Sequence, residues 1–200
     1  MKKPFGLAIV LLSASISALG ETERSQAETE AIAGIQEKGG LVLEVAQNDP
    51  SLDVAFHLVS KPAEDGDLAP LEQLTNVVNL NLRKAAITDA GLVHLKGLKT
   101  LQRLHLEKTA VTDAGLENLK DLTNLVYLNL YETAVSDAGL QHLKGLSKLR
   151  KLFVWKTQVT PAGVDALRQS LPELEVVSGQ ELAPDPPEEK TGEDEEKKAD

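Results

Sequence analysis

Two hundred residues with 42% hydrophobic content suffice to bury one sizeable core, and with only 3% aromatic residues that core must be aliphatic. A formal charge of −10 argues against a nucleic-acid partner, because phosphate binding calls for a basic surface. The lack of cysteine excludes disulfides, cysteine-based zinc sites and thiol chemistry.

Residues 1–20 carry the three parts of a secretory leader: charged Lys2 and Lys3, an apolar stretch from Phe5 to Leu19, and small Ala18 and Gly20 flanking Leu19 before the polar Glu21. The apolar stretch is shorter than the ~20 residues a membrane span needs. A cleavable signal peptide is therefore expected, with no membrane span after its removal and a secreted, periplasmic or cell-envelope location. A secreted chain that uses no disulfides fits a bacterial envelope. Residues 21–27 read as a polar leader and 28–51 as an N-terminal cap. In that cap Glu28 to Lys38 forms a helix stopped by Gly39-Gly40, and Leu41 to Val45 forms a strand. Together they are expected to shield the open edge of a sheet.

From 52 to 179 a 24-residue period governs the chain. Ile87-Thr88-Asp89-Ala90-Gly91-Leu92 recurs as Val111-Thr112-Asp113-Ala114-Gly115-Leu116, as Val135-Ser136-Asp137-Ala138-Gly139-Leu140 and as Val159-Thr160-Pro161-Ala162-Gly163-Val164. A fixed period of this length signals stacked units that share one core. Within a unit the spacing changes character. Leu92 and Leu95, three apart, belong to one face of a short helix; Leu104 and Leu106, two apart, belong to one face of a strand. Thr88, Thr112, Ser136 and Thr160 stand where an N-cap hydroxyl is wanted, and Pro161 suits a first helical position. Lys96-Gly97 and Lys144-Gly145 read as helix stops. Ordering the backbone of one unit costs at least as much as its few aliphatic side chains return, so the units must stack to fold. Upstream, Phe56 and Leu58 stand 24 residues before Leu80 and Leu82, marking a degenerate first unit. Downstream, Leu171 and Leu174 arrive one residue late, so Val177 is expected to continue the core, with the fold ending near Gly179.

This phased pattern resembles the leucine-rich repeat family in its short form, whose helix opens with Thr-Asp-x-Gly-Leu. It is similar to secreted leucine-rich repeat proteins of planctomycete-type bacteria. The resemblance implies an α/β solenoid: a right-handed horseshoe with a parallel concave β-sheet and short convex helices. The family's usual asparagine or cysteine after the strand is here threonine (Thr109, Thr133, Thr157), and Ala85 and Lys61 break the column. A threonine hydroxyl can take over by bonding loop backbone.

If Leu104 and Leu106 point inward, then Arg103, His105, Glu107 and Lys108 point out from the concave face, as do their counterparts at multiples of 24. The chain has six aromatic residues. Phe5 lies in the leader and Phe56 takes a core position, while Tyr127, Tyr131, Phe153 and Trp155 all project to one face of two adjacent strands. They are expected to form one contiguous patch bordered by Arg103, Lys108, Arg150, Lys151 and Lys156. Tyrosine, tryptophan and arginine dominate interface hot spots. The candidate ligand-binding residues are Arg103, His105, Tyr127, Asn129, Tyr131, Lys151, Phe153 and Trp155. The alternative is that the aromatic pairs only stabilise the sheet.

Other chemistry finds no support. His57 and His105 share a column but lie two repeats, roughly 10 Å, apart, too far for one metal. His94 and His142 read as surface residues between core leucines. Glu64-Asp65-Gly66-Asp67 aligns with the Thr-Asp-Ala-Gly turn and lacks the further ligands of a calcium loop. Neither a phosphate-binding glycine loop nor a nucleophile–base arrangement is present. No catalytic, cofactor or metal site is expected. The leading reading is a non-catalytic extracytoplasmic module that binds a protein or peptide; the alternative is a carbohydrate- or envelope-associated structural module. Residues 180–200 are expected to be a disordered acidic tail that either solubilises the chain or folds back on the basic rim.

Overall fold

The computed structural model describes residues 24–47, 49–56 and 61–179. The expected signal peptide, residues 21–23 of the leader, His57, Leu58 and the expected tail lie outside the described residues.

For Leu104 and Leu106 both to reach the core, the backbone between them must be extended, and each unit accordingly contributes one short strand. The strands are β1 (Leu41–Glu44), β2 (Leu52–Ala55), β3 (Val77–Asn81), β4 (Arg103–His105), β5 (Tyr127–Asn129), β6 (Lys151–Phe153) and β7 (Glu175–Val177). They form one sheet in chain order, with β1 antiparallel to β2 and every later pair parallel. Leu80, Leu104, Leu128, Leu152 and Val176 stand in one register column, each fully buried or nearly so. Leu82, Leu106, Leu130 and Val154 form the buried column beside it.

The outer layer holds the expected short helices, most of their length being 3₁₀. Its turns are 3₁₀ at Asp65–Gln73 and Gly91–Leu95, and a single α turn followed by 3₁₀ in the next two units: α2 (Asp113–Leu116) with Glu117–Leu119, and α3 (Asp137–Leu140) with Gln141–Leu143. The leucine spacing of three is the 3₁₀ period itself, so Leu92, Leu95, Leu98 and Leu101 all point inward and are fully buried. Among the described residues of the repeat array, α4 (Pro161–Ser170), at its end, is the only α-helix longer than a single turn. Gly97 and Gly145 do not adopt the left-handed backbone of a glycine helix stop.

Three further corrections concern the ends. The first helix, α1 (Gln26–Glu37), begins before the expected Glu28. Ser25 caps it, accepting the Glu28 N–H while the Glu28 carboxylate accepts the Ser25 N–H, so the leader's last residues belong to the cap. Val54, not Phe56, pairs with Leu80, and the Phe56 N–H donates to the Asn81 carbonyl as Leu82 does to that of His105. Asp65 nevertheless stands 24 residues before Asp89, so the first unit carries two extra residues between Phe56 and Ala63. At the other end Val176, in phase with Leu152, fills the core column, while Val177 pairs with Phe153 on the outer face. The longer α4 delays Leu171 and Leu174, and a spacing shortened to two between Leu174 and Val176 restores the phase.

Two ladders beyond the sheet lock unit to unit. One is backbone: Ala86 N–H to Ala63 O, Ala110 to Ile87, Ala134 to Val111 and Gln158 to Val135, at 2.8–3.1 Å. The other uses the Thr-Asp signature. Asp65, Asp89, Asp113 and Asp137 each accept the backbone N–H and the hydroxyl of the next unit's Thr88, Thr112, Ser136 and Thr160. Three of these hydroxyls also accept a backbone N–H of the turn that follows, Thr88 from Ala90, Ser136 from Ala138 and Thr160 from Gly163.

Candidate binding face

The parallel register sorts the outward residues of the sheet into columns that run across the units. One reads Asp53, Asn79, Arg103, Tyr127, Lys151, Glu175; the next reads Asn81, His105, Asn129, Phe153, Val177. Beyond the strand ends, Lys84 donates its N–H to the Glu107 carbonyl, Lys108 to that of Tyr131 and Glu132 to that of Trp155, which extends the order to Glu107, Tyr131 and Trp155. All eight candidate residues lie on this one face.

The rings form two stacks rather than one sheet of aromatics. His105 and Tyr127 lie 4.8 Å apart between centroids, and Tyr127 and Phe153 5.4 Å. Tyr131 and Trp155 form the second stack at 5.2 Å. Cations cover the rings: Arg103 stands 4.5 Å over Tyr127, Lys151 5.5 Å over Phe153, and Lys156 5.6 Å over Tyr131 and 5.4 Å over Trp155. Lys108 approaches Tyr131 at 5.7 Å. Such pairs hold the long cationic side chains at the surface of the face. Trp155 is 45% exposed, and it is the most open of the four rings.

Rim electrostatics centre on Tyr131. Its hydroxyl, with Lys108 and Lys156 nearby, holds the Glu132 carboxyl below its ordinary range; the same hydroxyl, with Glu132, raises Lys156. Lys108 pairs with Glu132 at 3.4 Å and Lys151 with Glu175 at 3.3 Å. Among the described residues Arg103 and Lys156 have no carboxylate within ion-pair distance. Arg150 does not border the rings as expected. Its guanidinium turns to the Ser147 and Leu149 carbonyls and to Glu173 at 2.8 Å.

The residue that sequence reasoning undervalued is Glu107. It is 8% exposed, although its column neighbours Tyr131 and Trp155 are far more open. Its Oε1 accepts from Asn129 Nδ2 at 2.7 Å and lies 2.9 Å from His105 Nδ1, while its Oε2 has no partner among the described residues. Asn129 in turn contacts the Tyr127 hydroxyl at 3.2 Å and accepts the Tyr131 N–H at 3.0 Å. A single carboxylate thus holds two of the candidate side chains, His105 and Asn129, and Asn129 links them to Tyr127. The only sequence signal for Glu107 was an acid at an outward position, which Glu132 and Glu175 also show without being buried.

The discounted groups have partners. His94 Nδ1 sits 2.6 Å from Glu72 Oε1, so it is half-buried and engaged rather than a free surface residue. Asp65 clamps Thr88, Asp67 accepts the Glu64 N–H, and Glu64 pairs with Lys61, which occupies the carboxylates of the calcium-like stretch. Thr109, Thr133 and Thr157 donate to the carbonyls of Leu106, Leu130 and Val154 at 2.6–2.8 Å, the backbone role expected of that column.

Residues 97–120 match the family profile described as leucine rich repeat. The unit so matched is a leucine-rich repeat, and the sheet-and-turn array built from its phased copies is an α/β solenoid. Among solved structures the chain is similar to an internalin C2 from Listeria monocytogenes, at 22% identity over 65% of this chain and 70% of that one, with a TM-score of 0.40. It is also similar to the actin-binding site 2 of leiomodin-1, at 21% identity over 55% and 70%, with a TM-score of 0.44. A second Listeria internalin, inlF, shares 19% identity over 75% of this chain and 54% of its own, with a TM-score of 0.43. No curated protein matches the chain.

Proposed function

We propose that the chain is a non-catalytic, extracytoplasmic module that holds a protein or peptide against its concave face. The contact residues are Arg103, His105, Tyr127, Asn129, Tyr131, Lys151, Phe153 and Trp155. One observation carries this reading: two aromatic ring pairs crowned by cations stand on neighbouring strands and just past their ends, with Trp155 open to solvent. Aromatic and arginine side chains of this kind supply most of the binding energy at protein interfaces, and large ones exposed on a preformed surface lose little entropy on contact. The extracytoplasmic setting rests on the leader pattern of residues 1–20. A glycan would need open ring faces for its sugars to stack on; lysine and arginine cover most of these faces, which favours a polypeptide.

The test is quantitative affinity enrichment from a mixture of secreted proteins and, separately, from purified wall polysaccharide, using the native chain and a Tyr131→Ala/Trp155→Ala variant of equal thermal stability. The proposal expects protein partners that the native chain retains and the variant loses. Equal recovery by both would reject the face, and selective retention of polysaccharide would move the reading to the glycan class.

A further inference from the structure

The path of the chain after β7 decides what meets the aromatic face first. Val177 pairs with Phe153, and two residues later Gly179 turns with φ +73° against the indole of Trp155. The approach is so close that a Cβ on Gly179 would overlap Trp155 Cδ1 and Nε1. The described chain therefore ends on the most open ring of the candidate face. Residues 180–200 follow directly, with nine carboxylates against three lysines.

Across the face stand Arg103, Lys108, Lys151 and Lys156, all held over rings. Lys108 and Lys151 share their charge with Glu132 and Glu175, whereas Arg103 and Lys156 have no ion-pair partner among the described residues. Reach is not limiting. From β7 to β3 is four strand spacings, ~19 Å, while 21 residues in extended form cover up to ~70 Å. A segment tethered this closely has an effective local concentration in the millimolar range, so even weak charge complementarity suffices to fill the site.

We propose that the acidic segment 180–200 lies on the aromatic–basic face as a tethered ligand, and that the external partner is itself an acidic polypeptide that must displace it. This rests on the binding role proposed above and specifies its ligand class.

Trp155 is the only tryptophan and the chain has no cysteine, so a nitroxide on Thr191→Cys reports contact through quenching of a single emitter. The measurement compares the labelled full chain with the same chain carrying Glu193→Gln, Asp194→Asn, Glu195→Gln and Glu196→Gln, which keeps the tether and removes charge. Quenching is expected to be strong in the acidic chain, to fall to the level of the neutralised chain in ~1 M salt, where screening acts within ~3 Å, and to be relieved by a synthetic peptide of residues 182–200. Equal quenching in both chains would overturn the docking.

The same peptide, titrated against the unlabelled chains, should bind the neutralised one about tenfold more tightly, because its internal competitor has lost four of its nine carboxylates. Equal affinity for both would refute the competitor, and no binding to either would refute the acidic class. In both cases the enrichment experiment with Tyr131→Ala/Trp155→Ala still decides separately whether the face binds anything.

Discussion

The Asp113 carboxylate closes on Ser136 of the next unit with two bonds, Oδ1 accepting the backbone N–H at 2.7 Å and Oδ2 the hydroxyl at 2.5 Å. The three other Asp–Thr pairs repeat this geometry within 0.1 Å. Each clamp is made between units, so it stabilises stacking rather than the unit itself. Asp113→Ala should therefore cost about 1–3 kcal/mol, the loss expected when a partly buried donor pair is stranded. Asp113→Asn, which retains one acceptor oxygen, should cost less. Urea unfolding at neutral pH separates the two; equal stability of Asp113→Ala and the native chain would remove the clamp from the account.

Gly139 lies against that same carboxylate. A Cβ there would overlap Asp113 Oδ1 and come within 3.1 Å of Asp113 Cα and of Leu116 Cδ1. Gly139→Ala should destabilise by about 1–3 kcal/mol through overpacking, whereas Gly145→Ala, with nothing within 4 Å of its Cβ, should fall within about 0.5 kcal/mol of native. The double variant Asp113→Ala/Gly139→Ala should lose less than the sum of the two, because the first change vacates the space the second needs. Thermal melts of the four chains measure the coupling.

Lys84, Lys108, Glu132 and Lys156 form a column with φ between 55° and 61°, the left-handed region that a β-branched residue tolerates poorly. Lys108→Asn should hold native stability, since asparagine visits that region readily. Lys108→Val should lose about 1–2 kcal/mol. Comparing the two in denaturant isolates backbone strain from the loss of the lysine charge, which both share.

Glu107 organises its face from below. Glu107→Ala should strand Asn129 Nδ2 and His105 Nδ1 and lower stability by about 1–3 kcal/mol. Glu107→Gln, which keeps an acceptor for Asn129, should preserve most of it. A double-mutant cycle with Asn129→Ala checks the assignment: additivity would mean the 2.7 Å contact carries no energy.

In the cap, the Thr75 hydroxyl donates to Glu28 Oε1 at 2.9 Å and, with the Ser25 cap, holds the Glu28 carboxyl below its ordinary range. A depressed folded-state value means that this contact stabilises above the ordinary carboxyl pKa and that the gain fades as pH falls through the folded value. Glu28→Gln should therefore flatten that part of the acid limb in a series of melting temperatures from pH 6 downward. An unchanged acid limb would place the dependence elsewhere.

The architecture was legible because the leucine period is rigid: every leucine of the three regular units from Leu92 to Leu152 is fully buried. The outward columns followed from the same phase, which is why the eight candidate residues share one face. The misreadings arose where phase gives way. The two residues added after Phe56 and the longer α4 shift the ends without changing the local pattern, so a fixed offset misassigned Phe56 and Val177. Spacing of three marks a short helix without fixing its type, which is 3₁₀ at Gly91–Leu95. The Thr-Asp signature marks helix starts at Thr112, Ser136 and Thr160 as the capping rule expects, but a local rule does not show the carboxylate partner 23 residues away. Burial of Glu107 was invisible, since a strand position gives a face but not the depth its neighbours impose.

The most direct test of the binding face is a hydrogen-exchange footprint of the native chain saturated with the protein it retains in enrichment. Added protection is expected only at residues 103–108, 127–132 and 151–156. Protection along the outer turns at 113–119 and 137–143, with those three stretches unchanged, would contradict it.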